Sequence, residues 1–288
     1  MISQRLRVDS RPTEGEANVA ATSPVLHYPS YGCRFTQLIR SWRREFSRVG
    51  RSNATLPFLF VQLSPFHGDN HGSIGGFPCP AEGGTAGGYA PSFPYGGLLP
   101  AFRLLQLEAL ALPNVGMACT VDLGDAASPY WPGSVHPRHK QPVGHRLALE
   151  ARRIAYGETS LISRGPQLQR IEALPSDTRG SYHSKLVQLA RVHWKSVGRG
   201  GLQISPSSFS AVSFLATLNS SQVVPGTIMP TNLTATSCDV YFNLGFNLSL
   251  NYVTRIAYLP FDFPPHVPIF GATGLPSEPF DVQWTASP

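Results

Sequence analysis

Two short apolar runs, Leu56–Leu63 and Val115–Leu123, constrain this chain most, because each follows a stretch with helical spacing. Ahead of the first run, Phe35, Leu38, Ile39, Trp42 and Phe46 recur every three or four residues, which predicts an amphipathic helix. That spacing puts Trp42 in the core and Arg40, Arg43, Arg44 and Glu45 on the wet side. Between the runs, Ala101–Ala111 reads as a helix ended by Pro113. After them, Arg146–Tyr156 reads as a third helix, stopped by Gly157, with Leu147, Ala151 and Ile154 inward. Unbroken apolar strands alternating with helices predict an α/β fold with a parallel sheet covered on both faces. Gln62, near the end of the first strand, either faces the crevice or caps the strand.

The pattern changes near Leu161. From there to Val282 short segments with strand character, Val212–Phe214, Cys238–Phe242 and Asn251–Ile256, are separated by turn signals. They predict a smaller β-rich region beside the parallel sheet, dividing the chain into 1–160 and 161–288. Pro260–Pro268 is too proline-rich for regular structure. His67–Tyr95 is dense in glycine and proline and predicts a long loop after a strand, with His67 and His71 at a pocket rim or on an ordinary surface insertion.

The second apolar run ends in Asp122 and Asp125, and His136 follows eleven residues after the latter. Pro137 fixes the histidine on one side; Arg138 and Lys140 flank it. In an open α/β sheet, groups just past the carboxyl ends of strands line the ligand crevice. Imidazoles in general titrate near neutral pH, so a histidine there suits a general base. Taken alone, these residues fit an ordinary surface His-Pro loop better.

Ordered along the chain stand the blocks Glu14-Gly15-Glu16-Ala17-Asn18, Trp42-Arg43, Leu56-Pro57-Phe58, Val61-Gln62-Leu63, and Arg103 with Gln106. They continue with Pro113-Asn114 to Asp125, Val135-His136-Pro137-Arg138, Gly144 to Leu149, Ala155-Tyr156-Gly157, Arg255 to Tyr258, and Leu275 to Phe280. This order resembles the carboxyl-terminal portion of the sialate O-acetylesterases, carbohydrate esterases with an SGNH-hydrolase, flavodoxin-like fold. The likeness covers 14–160 and 250–281 and is weak between them. It implies that His136 is the catalytic base of Ser-His chemistry removing O-acetyl esters from sialic acids, with no cofactor and no metal. Asp122, Asp125 or a main-chain carbonyl near Gly133 or Ser134 would orient the imidazole, since Gly133 stands where many such enzymes carry an aspartate. Glu14, Gly15 and Asn18 would form the oxyanion and substrate loop. Glu14 replaces a glutamine and, when ionised, only accepts hydrogen bonds. Arg138, beside Lys140, would bind a substrate carboxylate.

The family's nucleophilic serine lies in a block far upstream of the Gly15 motif, and Met1–Thr13 does not resemble it. The chain is therefore expected to lack the nucleophile. Two rivals remain: a non-catalytic truncated product, and an esterase for another acetylated carbohydrate such as xylan. The resemblance implies a lysosomal or secreted protein, though no signal peptide is visible in Met1–Gly15.

Composition excludes several classes. Only 14% of residues are charged, and 27 glycines with 27 prolines indicate a loop-rich globular chain, not a helical bundle. The net charge of +6 is spread along the chain without the basic block of a nucleic-acid binder. No apolar run approaches the roughly 20 residues that span a membrane. Cys33, Cys79, Cys119 and Cys238 form no CxxC pair, which argues against zinc. Cys119 reads as a buried thiol, and Cys33 with Cys79 as one disulfide option. Sequons begin at Asn53, Asn219, Asn232 and Asn247, fitting a glycosylated surface.

Overall fold

The computed structural model describes residues 31–50, 53–66, 98–130, 133–174, 186–205, 209, 212–230, 233–245, 252–261, 263–264 and 266–285. Glu14, Gly15, Asn18, His67, His71 and Cys79 lie outside the described residues. The first part is an α/β unit. Helix α1 (Tyr31–Arg48) leads to strand β1 (Phe58–Val61), then α2 (Leu98–Leu107), a 3₁₀ turn (Glu108–Ala111), strand β2 (Val115–Ala118) and helix α3 (Gln141–Ala155). β1 and β2 pair in parallel, Phe58 opposite Val115 and Val61 opposite Ala118. The helix–strand alternation thus forms as the sequence predicts, but the parallel sheet has two strands among the described residues. β2 is also shorter than the apolar run. The chain leaves the ladder after Ala118 and turns, with the Leu123 N–H donating to the Thr120 carbonyl.

Four positions on α1 depart from expectation, because Leu38 and Phe46 of the apolar repeat are also exposed. Trp42 is 51% exposed, and Arg43, expected on the wet side, is 5% exposed. Ile39 and Arg43 share one buried stripe four residues apart. The Arg43 guanidinium donates to the carbonyls of Leu56 (2.9 Å), Pro113 (2.8 Å) and Asn114 (3.4 Å). These oxygens stand where the chain enters β1 and β2. A five-donor fork serves them, and an indole with one N–H cannot. Trp42 instead touches the Phe58 ring from outside, centroids 6.0 Å apart.

Helix α3 packs on β2 and begins earlier than expected, with proline in its first turn. Its most buried residues are Arg146 and Glu150; Leu147, Ala151 and Ile154 are half-buried. It lies close enough to β2 that a Cβ on Gly116 would stand 2.5 Å from Glu150 Oε2 and 2.8 Å from Leu59 Cδ2.

The second part is larger than the smaller region expected. Strands β3 (Gln167–Leu174), β4 (Leu186–Lys195), β6 (Phe214–Leu218), β7 (Val223–Ile228), β8 (Ser237–Gly245), β9 (Val253–Tyr258) and β11 (Phe280–Gln283) form a seven-stranded antiparallel sheet, ordered β11-β9-β6-β7-β8-β4-β3. β5 (Leu202–Ile204) and β10 (Ile269–Gly271) pair separately. The sheet curls until its edges meet, because Trp284, just past β11, donates its indole N–H to the Ile171 carbonyl of β3 (3.4 Å). Trp194, Phe214, Tyr258 and Phe280 make an aromatic centre with centroids 4.7–6.2 Å apart. One apolar cluster includes these residues together with Ile39, Phe60 and Met117 of the α/β unit. No regular element falls within 260–268 among the described residues.

Candidate functional site

The carboxyl ends of β1 and β2 open onto a set of buried polar groups. Arg103 of α2 is fully buried and donates to the carbonyls of Leu63 (2.8 Å), Ser64 (3.2 Å) and Phe261 (2.7 Å). Phe261 lies 158 residues away, so this guanidinium joins the exit of β1 to the segment after β9. Gln106 accepts from the Leu63 N–H at 3.0 Å. Gln62 turns inward and donates to the Arg103 carbonyl (3.1 Å), bracing α2; its Oε1 is buried without a hydrogen-bond partner among the described residues. Thr120 donates to the Gln62 carbonyl, and its hydroxyl is 2.8 Å from that of Ser64. The chain therefore leaves both strands along fixed paths.

The His136 loop rests on this base. A Cβ on Gly124 would stand 2.5 Å from Pro65 and 2.8 Å from Phe263, so the loop passes directly over the exit of β1. Asp125 and Ser134 close the loop through the Asp125 N–H and the Ser134 carbonyl, 3.0 Å apart. Ser128 donates its hydroxyl to the His136 carbonyl (2.6 Å), and the His136 N–H donates to the Gly133 carbonyl (2.9 Å). His136 is half-buried.

Both candidate acids are engaged by arginines. Asp125 Oδ2 accepts from the Arg138 N–H (3.1 Å) and Nε (2.6 Å), and Oδ1 from Arg138 Nη2 (2.9 Å) and the Ala127 N–H (3.2 Å). The Arg138 hydrogen bonds hold the Asp125 carboxyl down at about 2. Arg138 is thereby a structural partner of Asp125, with its side chain half exposed. Asp122 takes both ends of the Arg146 guanidinium at 2.6 and 2.7 Å, and Arg146 also donates to the Cys119 carbonyl (2.7 Å). The structure thus gathers His136, Asp122, Asp125 and Arg138 around one loop. Sequence reasoning missed Ser128 and the pairing of Arg146 with Asp122. Nothing in the spacing of Ser128 marks it, whereas an arginine one turn into a helix behind an acidic loop is a readable signal.

Cys119 is buried as expected, and burial pushes its thiol up to about 12. Cys33 is exposed. Among the described residues no cluster of His, Cys, Asp and Glu could hold a metal ion, and no helix is long and apolar enough to cross a membrane.

No protein-family model matches the chain. It is similar to the sialate O-acetylesterase of Mus musculus, 38% identical over 150 residues, which is 51% of this chain and 24% of that protein. It is similar to the sialate O-acetylesterase of Homo sapiens at 37% over 164 residues, 56% of this chain and 27% of that protein. The chain thus spans about a quarter of the length of these curated relatives. Among solved structures it is similar to a carbohydrate acetylesterase from Xanthomonas citri, with a TM-score of 0.60 and 25% identity over 92% of this chain and 48% of that one. The likeness read from the motifs is therefore present as sequence similarity over half the chain and as similarity of fold over nearly all of it.

Proposed function

We propose that this chain supplies the general-base histidine of an acetylesterase acting on O-acetylated sialic acids. The observation that carries the reading is the convergence of the two segments of likeness. Residues near 60–140 and near 255–280 are far apart in sequence, yet Arg103, Phe261, Gly124 and Phe263 bring them together at the carboxyl ends of β1 and β2. His136 leaves that base on a loop fixed at several points. Similarity to sialate O-acetylesterases supports the substrate class.

In this mechanism a serine hydroxyl from the family's upstream block attacks the acetyl carbonyl. His136 takes the serine proton, then gives it to the sugar oxygen as the ester bond breaks. Water, deprotonated by the same imidazole, releases acetate. Asp125 is a positioning residue that fixes the loop through Arg138. The orienting acceptor for the imidazole is a main-chain carbonyl near Gly133 or Ser134, or else Asp122 or Asp125; all already accept hydrogen bonds, so the Asp→Asn variants decide between them. Glu14, Gly15 and Asn18 form the oxyanion loop. Arg138 reaches the substrate carboxylate with the donors that Asp125 leaves over.

A second reading has its own support. The likeness of fold to a carbohydrate acetylesterase covers far more of the chain than the likeness of sequence does. An acetylated plant polysaccharide is then the substrate. Lysosomal or secreted placement belongs to the first reading, and with it glycosylation at exposed Asn53, whose Oδ1 accepts from the Thr55 N–H (3.0 Å) and hydroxyl (3.2 Å) of its own sequon.

The test joins a relative's nucleophile-bearing segment ahead of this chain, with Glu14→Gln. The joined enzyme is expected to deacetylate sialic acid in preference to xylan. His136→Ala should lower kcat by about two to three orders of magnitude with little change in KM. Asp122→Asn and Asp125→Asn should both be milder. Near-full activity of the His136 variant removes the reading, and preference for xylan selects the second.

A further inference from the structure

A second cleft, of 460 Å³, lies at the opposite end of β2, against Asn114 and Val115. That volume is in the range of small-molecule sites. Four residues of extended chain separate its floor from Cys119, roughly 13 Å at strand rise. Two arginines line it, Arg153 from the last turn of α3 and Arg164 from the segment before β3. Each is fixed from behind by a buried carboxylate. Glu150 takes Arg153 through Nε (3.2 Å) and Nη2 (2.8 Å), and Glu278 takes Arg164 through the same two nitrogens. Ser163, itself buried, donates to Glu150 and accepts from Arg153 Nε (3.0 Å). In both arginines Nη1 makes no hydrogen bond among the described residues.

We propose that this cleft is a second, non-catalytic site that binds a carboxylate carried on a saccharide. Two guanidinium groups held rigidly on a shared pocket lose little side-chain freedom on binding an oxyanion, and their planar forks suit a carboxylate. The two glutamates neutralise them on paper, but Glu150 and Glu278 are almost wholly inaccessible, so the cleft presents the cationic side. Burial also pushes the Glu278 carboxyl up, against the pull of Arg164. The exposed hydroxyls of Thr159, Ser160 and Ser196 and the amide of Gln167 share the lining with the apolar side chains of Leu110, Leu112, Leu161 and Ile162. Uncharged donors and acceptors around a cationic centre match the hydroxyls around a sugar acid. A salt bridge serving only to tie α3 to the sheet needs neither two arginines on one cleft nor this lining. The inference stands independently of the role of His136.

The test uses the full 288-residue chain and three probes: N-acetylneuraminic acid, its methyl ester, and sodium sulfate, followed by calorimetry and saturation-transfer NMR. The acid is expected to bind in the millimolar range. Ser160→Glu, at the exposed lip, should weaken it at least tenfold, and Thr159→Glu should do the same. Arg164→Lys keeps the charge but loses the fork and should weaken binding severalfold. Arg138→Ala, in the β1–β2 crevice, should bind the acid as the parent does. The methyl ester should bind at least tenfold more weakly than the acid. Any one of four results overturns the proposal: no binding of the acid, equal binding of acid and ester, binding of sulfate alone, or binding that Arg138→Ala removes and Ser160→Glu leaves intact. The last result moves the sugar to the β1–β2 crevice, so this proposal and the functional reading fail separately.

Discussion

The α/β unit and the curled antiparallel sheet bury different chemistry. In the sheet the inaccessible side chains are mostly apolar: Ala190, Val192, Trp194, Phe214, Val240, Phe242 and Ile256. In the α/β unit Arg43, Gln62, Ser64, Arg103, Gln106, Thr120, Arg146 and Glu150 are buried beside Ile39, Phe60 and Met117. A long sheet satisfies its own backbone through the ladder, so its side chains need only pack. Two four-residue strands leave many carbonyls unserved where the chain enters and leaves. Buried side chains must meet them, and where they do, the loop paths are fixed. The difference teaches that the candidate site is held by hydrogen bonds and its scaffold by packing.

The strongest test sets Arg103→Ala against Phe214→Ala. Removing Arg103 strands three carbonyls and should cost about 3 kcal/mol or more. Removing Phe214 leaves a cavity worth about 3–5 kcal/mol. Denaturant midpoints measure both. If the arginine variant loses less than the resolution of the melt, the polar core is not what holds the unit. Gly116→Ala comes next, at about 1–3 kcal/mol, because the new methyl meets Glu150, Ile154 and Leu59. Thermal unfolding reads it, and an unchanged Tm means that α3 can lift off β2 without loss.

A smaller contrast lies within one helix. Arg43→Ala should cost about 1–3 kcal/mol, since carbonyls at the strand entrances lose a donor. Trp42→Ala, one residue away, should cost less than about 1 kcal/mol. Reversal of that order in chemical denaturation would rotate α1 back to the phase its apolar spacing suggests. The smallest effect concerns pH. The Asp125 carboxyl is lower in the fold, about 2, than its ordinary value of 3.8, so the Asp125–Arg138 closure stabilises the loop fully above that ordinary value. Its contribution should fade as pH falls from about 4 toward 2. Amide protection factors at Ser128 and His136 should fall across that interval, and Asp125→Asn should abolish the dependence.

Part of this protein is legible in the chain alone. Apolar periodicity marked the three helices, because packing against a strand demands a stripe whatever else surrounds it. Continuous apolar runs marked β1 and β2 for the same reason. The change of pattern near Leu161 marked the passage into β structure. Its extent is only partly legible there, in the alternation of Ala190, Val192 and Trp194 on one face of β4. His136 and its acids could be singled out because strand exits are where such residues collect. Tertiary structure alone decided the rest. Whether Arg43 or Trp42 turned inward depended on carbonyls at Leu56, Pro113 and Asn114. Whether Asp125 faced a histidine or an arginine depended on the path of a loop resting on Pro65 and Phe263. Arg103 could be matched to a motif, but its third acceptor, Phe261, comes from the far end of the chain. Apolar burial is non-directional and leaves a periodic trace in sequence. A hydrogen bond is directional and local in space, so its partner is known only once the fold has placed it.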